Sequence, residues 1–550
     1  MTSRAGGDAR GIADDPVLVD IIGSHLLAIA EEMGVALIRS GYSPNIKERH
    51  DCSTALLDLD GHTIAQAEHI PIHMGSMLGF IPAVVDQYAG DIHPGDAFIS
   101  NDPYLGGSTH LPDVTVVAPL FAEGEVVGFA AAVAHHAEFG GSVGVAPDIY
   151  SEGLRIPIVR VIHRGELVEE IIRFILLNTR VEAERSGDLR AQFAAVALGV
   201  RRFDELLAAY GSSDVLEATS LNLDKAEQQA RAALAQLPEG TYTFTDVMDS
   251  DGAGTSDIPI CATVKISHDA IEVDLTGSGL QVRGQINTAR AAVEASIYYT
   301  VKAILDPTLP ANAGFYRIVD ITIPEGTIVN SLPPAPVFMR SDTCQRVVDA
   351  ILGAMAPIIP DRVPAASNGS ISAFHFTGYD PTRQRPFAYV EVVAGGAGAL
   401  PDRDGQDAVQ THLTNTANTP IEAVEQAYPV RLRRYALRED AGGLGRYRGG
   451  VGIIREIEAL VDDVRVTVKG DRVRRGPWGL DGGGAGAVLR FELDPDTDHA
   501  REFTRADNGA VLPAGSVLRV ETAGGGGHGR PALRDADAHA RDRRDGIARG

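Results

Sequence analysis

Four glycine clusters constrain the C-terminal part of this chain: GGAG from Gly395, GGLGRYRGGVG from Gly442, GLDGGGAGA from Gly479 and ETAGGGGHG from Glu521. Glycine inside a helix costs about 1 kcal/mol relative to alanine, so these stretches exclude a helical bundle there. Short β-prone runs lie between them, including Val464–Lys469 and Ser516–Val520, and the alternation predicts a β-rich unit. No fixed period relates the clusters, which argues against a solenoid. The GGGG at 524–527 lacks the strand–GxGxxG–helix setting of a dinucleotide site and reads as a tight β-turn. The P-loop pattern, a glycine separated by four residues from Gly-Lys-Ser/Thr, is absent as well.

Elsewhere the texture is mixed. Sixty glycines and thirty prolines among 550 residues stand singly or in short clusters between apolar runs, which suits a loop-rich α+β protein of several domains. Asp15-Pro16 opens a helical pattern in which Val17, Ile21, Ile22, Ile29, Met33 and Leu37 recur, ending before Gly41. Strand candidates follow at Ser53–Asp58, Ala97–Ser100, Val114–Pro119 and Val126–His136, and a second helical stretch runs over about 215–237. From Gly240 strands return at Tyr242–Val247, Ala262–Ile266 and Ala270–Leu275, with helical segments at Ala291–Leu305 and Gln345–Met355. The expected organisation is an N-terminal α/β unit over 14–238, a middle α+β unit over 239–394, the β-rich unit over 395–529 and a disordered tail over 530–550.

The net charge of −25 makes nucleic-acid binding improbable as a main role. Cys52, Cys261 and Cys344 are odd in number and far apart, neither a disulfide framework nor a CxxC motif. The N-terminus lacks a signal-like apolar core, and no run reaches the roughly 20 apolar residues of a membrane span. A reducing, cytoplasmic setting is expected, without a membrane role.

Chemistry concentrates between His50 and Glu152, in RHDCSTALLDLDG, AEHIPIHMGSM, SNDPYLGGSTHLPDVTVVAPLF, VAHHAEFGG and SEGLRIP. Oxygen and imidazole donors on separate segments are what a catalytic divalent-metal site requires. In a strand ending at His136, His135 and His136 point to opposite faces, so one of them at most joins a given site. His110 and Asp113 flank a proline turn and can face one ion, while Asp51 begins an apolar strand. The residues therefore nominate Asp51, His110, Asp113 and either His135 or His136. Taken singly, any such histidine is more often a hydrogen-bonded structural residue.

These segments resemble the hydantoinase B/oxoprolinase family. The likeness is carried by DCSTALLDLDG, HIPIHMGSM, GDAFISNDPYLGGSTHLPDVTVVAPLF, AHHAEFGG and EGLRIP, then by GDLRAQ, DLTGSG, NAGFYR, PEGTIVN, HLTNTANTPIE, GGLGRYRGGVG, PWGLDGG and AGGGGHG, in order from about residue 14 to 530. The resemblance implies metal ligands at Asp51, His110, Asp113 and His135; the two imidazoles among these donors favour a divalent Zn or Mn, with Fe as a third option. Two departures stand out: Cys52 where many relatives carry an aromatic residue, and Glu138 where aspartate is common.

What the resemblance further implies is a division of labour. A hydantoinase A-type partner, in a hetero-oligomer expected to be a heterotetramer, uses ATP to phosphorylate a cyclic-amide oxygen, and the metal subunit delivers activated water. Asp102 and Glu152 are candidates for the base, with a turn-capping role for Asp102 as the plainer alternative. His73 and Arg155 are the expected substrate contacts; His69 and Arg340 are further candidates. Two alternatives share the likeness: a ketone carboxylase catalytic subunit, and a non-catalytic scaffold for the ATPase subunit. A self-sufficient metal amidohydrolase is a weaker third.

Overall fold

The computed structural model describes residues 12–67, 69–137, 139–141 and 146–548. The expectations about the first residues and Glu138 therefore lie outside the described residues. The protein is a mixed α and β chain, as its sequence texture predicts, with four sheets among the described residues.

The first sheet is seven-stranded and antiparallel, in the order Thr63–Gln66, Cys52–Leu57, Glu125–His135, Asp113–Ala122, Ala97–Ser100, Val159–His163, Glu166–Leu167. Its central strands are apolar at successive positions because both faces are covered. Cys52, Leu56, Val114, Val116, Ala130 and Ala132 pack into one core with the long helices Pro16–Ser40 and Glu182–Tyr210. Ala55, Leu57, Val117, Ala131 and Val133 pack on the other side, against the short helices Gly75–Leu78 and Phe80–Gln87.

The helix Pro16–Ser40 starts as its cap predicts: the Asp15 side chain accepts a hydrogen bond from the Leu18 amide. By length and composition it is apolar enough to cross a membrane, contrary to the expectation that no run would be. In the fold it buries Val19, Ile22, Leu26, Ile29, Met33 and Leu37, the stripe of a core helix. Glu182–Tyr210, 29 residues long, lacked a legible apolar stripe because part of its buried face is polar. There Asp188 accepts from the Tyr42 and Ser43 amides, and Gln192 bonds His136.

The second sheet, Val319–Thr322, Ile271–Asp274, Ser256–Ile266 and Gly240–Ser250, shares a core with the helices Arg290–Leu305 and Arg340–Met355. All sixteen residues of Arg340–Met355 are buried. Two further sheets form the C-terminal core: Arg385–Val392, Ala373–Asp380, Val464–Lys469 and Ala510–Leu512, then Val430–Leu437, Ile453–Ala459, Val517–Glu521, Arg490–Leu493 and Arg501–Glu502. Strand pairing thus ties Ala373–Val392 to the C-terminal sheets, ahead of the boundary expected near 395.

The GGGG stretch at 524–527 is not a tight turn between these strands. Its amides bond to three different segments: Gly524 and Gly527 to Ala487 and Gly484 of one, Gly525 to Gly450 and Gly526 to Ala366. Gly396 and Gly450 join the same layer through Ala523 and Ala397. Backbones approach so closely that a Cβ on Gly449, Gly524 or Gly525 would sit 1.9 Å from a carbonyl oxygen. Only a residue without a side chain permits this. The described part of the tail, through residue 548, is also ordered. Ala536–Arg544 is a helix whose Asp542 pairs with Arg448 at 3.0 Å and Arg534 at 2.6 Å, because its many charges are matched rather than merely solvated.

Candidate metal centre

Strand register assembles the site. Asp113, the first residue of its strand, lies directly opposite His135, the last residue of the next. On the other flank of that strand the His135 amide donates to the Asp51 carbonyl, so three neighbouring strand ends line up. His110 folds over them from the preceding turn, which closes with Asp113 N–H to His110 C=O at 3.0 Å. Ligand atoms of His110, Asp113 and His135 all lie within 4.8 Å of one another. His110 and Asp113 are buried and His135 is half-buried, and the two imidazole centroids are 5.0 Å apart.

Hydrogen bonds outside the cluster aim its atoms inward. His110 Nδ1 bonds the Phe338 carbonyl at 3.1 Å, leaving Nε2 facing Asp113 Oδ1 at 3.4 Å. Asp113 Oδ2 accepts from Arg340 Nη2 at 2.8 Å and Thr109 Oγ1 at 2.9 Å. His110 Nε2 and Asp113 Oδ1 are left buried with no hydrogen-bond partner, a costly arrangement unless something else sits between them. Two imidazoles and a carboxylate suit Zn, Mn or Fe, so the residues fit a divalent metal.

The electrostatics agree. Burial pushes His110 down to about 4 and holds His135 well below the usual imidazole range, so both rings are neutral at pH 7. Burial alone would raise Asp113, yet the neighbouring His110 imidazole and the Arg340 guanidinium hold its carboxyl well below the usual carboxylate range. Burial raises Asp51, with Arg49 opposing.

His136 turns to the opposite face, as alternation requires, with Nε2 on Gln192 Oε1 at 3.0 Å. Asp51 reaches the cluster through His73, whose Nε2 lies 3.7 Å from Asp51 Oδ1 and 3.5 Å from Asp113 Oδ1. His73, expected as a substrate contact, is therefore wedged between two carboxylates and anchored by Ser53 Oγ at 3.1 Å. Asp102 and Arg155, expected as base and substrate contact, engage each other. Asp102 Oδ2 receives Arg155 Nη2 at 2.6 Å, and Oδ1 caps the Tyr104 amide. Both carboxylate oxygens are committed, so the turn-capping reading describes Asp102. His69 lines a surface groove beside Pro16–Ser40, and Arg340 braces Asp113.

Glu152 does stand beside the cluster. A cavity of about 60 Å³ is lined by Leu111, Pro112, Glu152, Phe338 and His375. Glu152 Oε1 accepts from the Phe338 amide at 2.8 Å, so a single residue, Phe338, links Glu152 to His110. Burial pushes the Glu152 carboxyl up to about 8, which makes it a proton-bearing donor at neutral pH rather than a base. Phe338, His375 and Asn45, whose Nδ2 lies 3.0 Å from His135 Nδ1, were not legible in the sequence, since none sits in a metal-like spacing. Their local sequence carries no signal of its own, because each reaches the site from a different segment of the fold.

A family model, hydantoinase B/oxoprolinase, matches residues 15–531. The chain belongs to this family. Caprolactamase subunit beta of Pseudomonas jessenii is 32% identical over 97% of this chain and 94% of its own length. The solved ATP-dependent caprolactamase of that organism superposes with a TM-score of 0.90, at 29% identity over 97% of this chain and 94% of that one. 5-Oxoprolinase 1 of Arabidopsis thaliana is 34% identical over 95% of this chain, which spans only 42% of that longer protein. Acetone carboxylase shares the fold, with a TM-score of 0.89 at 19% identity, covering 98% of this chain and 78% of that one.

Proposed function

We propose that this chain is the metal-carrying subunit of an ATP-dependent cyclic-amide hydrolase. The observation that carries the reading is the His110–Asp113–His135 cluster, in which the buried His110 Nε2 and Asp113 Oδ1 are unpartnered, beside the Glu152 cavity. A divalent metal held there, with Asp51 and His73 alongside, would supply a Lewis acid and a water of lowered pKa. The chain's own residues do the rest. The Phe338 carbonyl fixes the His110 tautomer that presents Nε2. Arg340 and Thr109 turn Asp113 Oδ1 inward and keep it charged. Leu111, Pro112 and Phe338 exclude water from the cavity wall.

A stable amide needs activation, and a partner subunit of the hydantoinase A type is the source of ATP-derived phosphate. Supporting this are the absence of a P-loop pattern, the subunit name of the caprolactamase relative, and the longer 5-oxoprolinase that this chain spans only in part. Unpaired Cys52, Cys261 and Cys344 fit a cytoplasmic setting. The ketone carboxylase alternative rests on fold alone, whereas the amide hydrolases are related at above 30% identity.

The test is copurification with the neighbouring ATPase-like subunit, metal analysis, and an ADP-release screen over cyclic amides. Stoichiometric metal and amide-dependent ADP release are expected, with Asp113→Asn losing the metal and at least about 100-fold of turnover. ADP release that demands bicarbonate and a ketone would make it a carboxylase. No metal, with turnover unchanged in Asp51→Ala and His110→Ala, would make it a scaffold.

A further inference from the structure

The segment GDLRAQ, residues 187–192, supplies no group to the cluster, yet it lies on the buried face of the helix Glu182–Tyr210. Gln192 is wholly buried where that helix and the first sheet share an apolar core. An apolar side chain of the same size would fill the position without an amide to satisfy. Gln192 places all three of its hydrogen bonds on the two strands that carry Asp113 and His135. Its Nε2 donates to the Val114 carbonyl at 2.8 Å and the Ala132 carbonyl at 3.1 Å. That orientation leaves Oε1 to accept from His136 Nε2 at 3.0 Å. Val114 follows Asp113, and His136 follows His135. The His136 amide in turn donates to the Pro112 carbonyl at 2.8 Å. The side chain thus ties the two strands together from the face opposite the cluster, at the step of the register where Asp113 stands opposite His135.

One helical turn earlier, the wholly buried Asp188 does the same for the third approach to the site. Its Oδ1 accepts from the Tyr42 and Ser43 amides, at the start of the short helix Pro44–Lys47. That helix carries Asn45, whose carbonyl accepts from the Asp51 amide at 3.1 Å and whose Nδ2 lies 3.0 Å from His135 Nδ1. The geometry assigns Gln192 the part of a positioning residue, which fixes the separation of the strand ends that bear Asp113 and His135. This rests on the metal-subunit reading. An apolar side chain would press on both strands without setting a distance between particular atoms, whereas a hydrogen bond has a length and a direction. Metal–ligand distances tolerate only about 0.2 Å, so a small change in strand separation is felt as lost metal affinity.

Mn titration of the purified full-length chain, followed by the electron paramagnetic resonance of free and bound Mn, tests this without any turnover. Gln192→Met keeps the volume and removes the three hydrogen bonds. It is expected to bind Mn at least about tenfold more weakly than the parent, with an altered bound-Mn spectrum. Val196→Ala, one turn further along the same buried face, removes packing and no hydrogen bond. It is expected to lower the unfolding temperature while leaving Mn affinity within about twofold and the spectrum unchanged. If Gln192→Met does not fold, Gln192→Glu carries the test. Its carboxyl loses at least one of the two donations, and at least about threefold weaker Mn binding is expected. Parental Mn affinity in the Gln192 variant, or an equal loss in Val196→Ala, would overturn the positioning role and leave the metal reading standing. No stoichiometric Mn, Zn or Fe in the parent would sink the metal reading, and this inference with it.

Discussion

Glu152 combines nearly complete burial, one oxygen fixed by the Phe338 amide and one unpartnered. Its carboxyl titrates near 8 in the fold against 4.5 in an open chain. Between those values the folded state holds a proton that the unfolded state has released. Its contribution to stability is therefore full below about pH 4.5 and is lost as pH rises toward 8. Glu152→Gln keeps the shape and removes the titration. Denaturant unfolding across pH 5–9 should show the variant gaining on the parent by a few kcal/mol at the alkaline end, with the two converging near pH 5. Parallel curves would mean that Glu152 is already ionised. The residue was visible in SEGLR; its protonation was not, because burial decides it and burial is made by Phe338 and Gln285, far away in sequence.

At the scale of elements, the site is a product of strand register. Alternation in the strand ending at His135 separated His135 from His136, and the observed pairing of Asp113 with His135 shows why a carboxylate 22 residues earlier meets that ring. The glycine clusters behave differently. Their composition marked a non-helical region correctly, but reading GGGG as a turn failed, because the segments serve one another as hydrogen-bond partners across long sequence distances. Gly524→Ala would place a Cβ 1.9 Å from the Ala441 carbonyl, whereas at Gly484 the nearest atom is 3.5 Å away. Thermal unfolding of both variants should show Gly524→Ala losing at least about 3 kcal/mol or failing to fold, and Gly484→Ala losing about 1 kcal/mol or less. Similar losses at both sites would argue against a backbone-packed layer.

Across the whole molecule, buried charge joins regions that the sequence presents as separate. Arg472 bridges Asp246 and Asp349 at 2.8 Å each, and Arg346 reaches Asp471 at 2.7 Å, linking the strand Gly240–Ser250, the helix Arg340–Met355 and the segment after Val464–Lys469. The tail is bound into the fold by the same means. Its helix brings Asp542 to Arg448 and Arg534, and Arg534 also meets Asp404 at 2.7 Å. Removing residues 531–550 strips Arg448 of the Asp542 carboxylate, leaving Asp407 at 2.7 Å as its partner. The deletion is expected to lower the unfolding temperature by several degrees. An unchanged melt would return the tail to the solvated role expected from its composition.

By itself the sequence determined the donor types, the strand ends that bear Asp51 and His135, the turn that carries His110 and Asp113, and most strands and helices. Those properties are local: periodicity, caps and turn residues act over a few positions. Only the tertiary structure decided that His73 lies between two carboxylates, that Asp102 and Arg155 engage each other, that Arg340 braces Asp113 and that Glu152 holds a proton. Each of those follows from which distant segment covers a side chain and removes it from water, and that covering is a property of the packed whole.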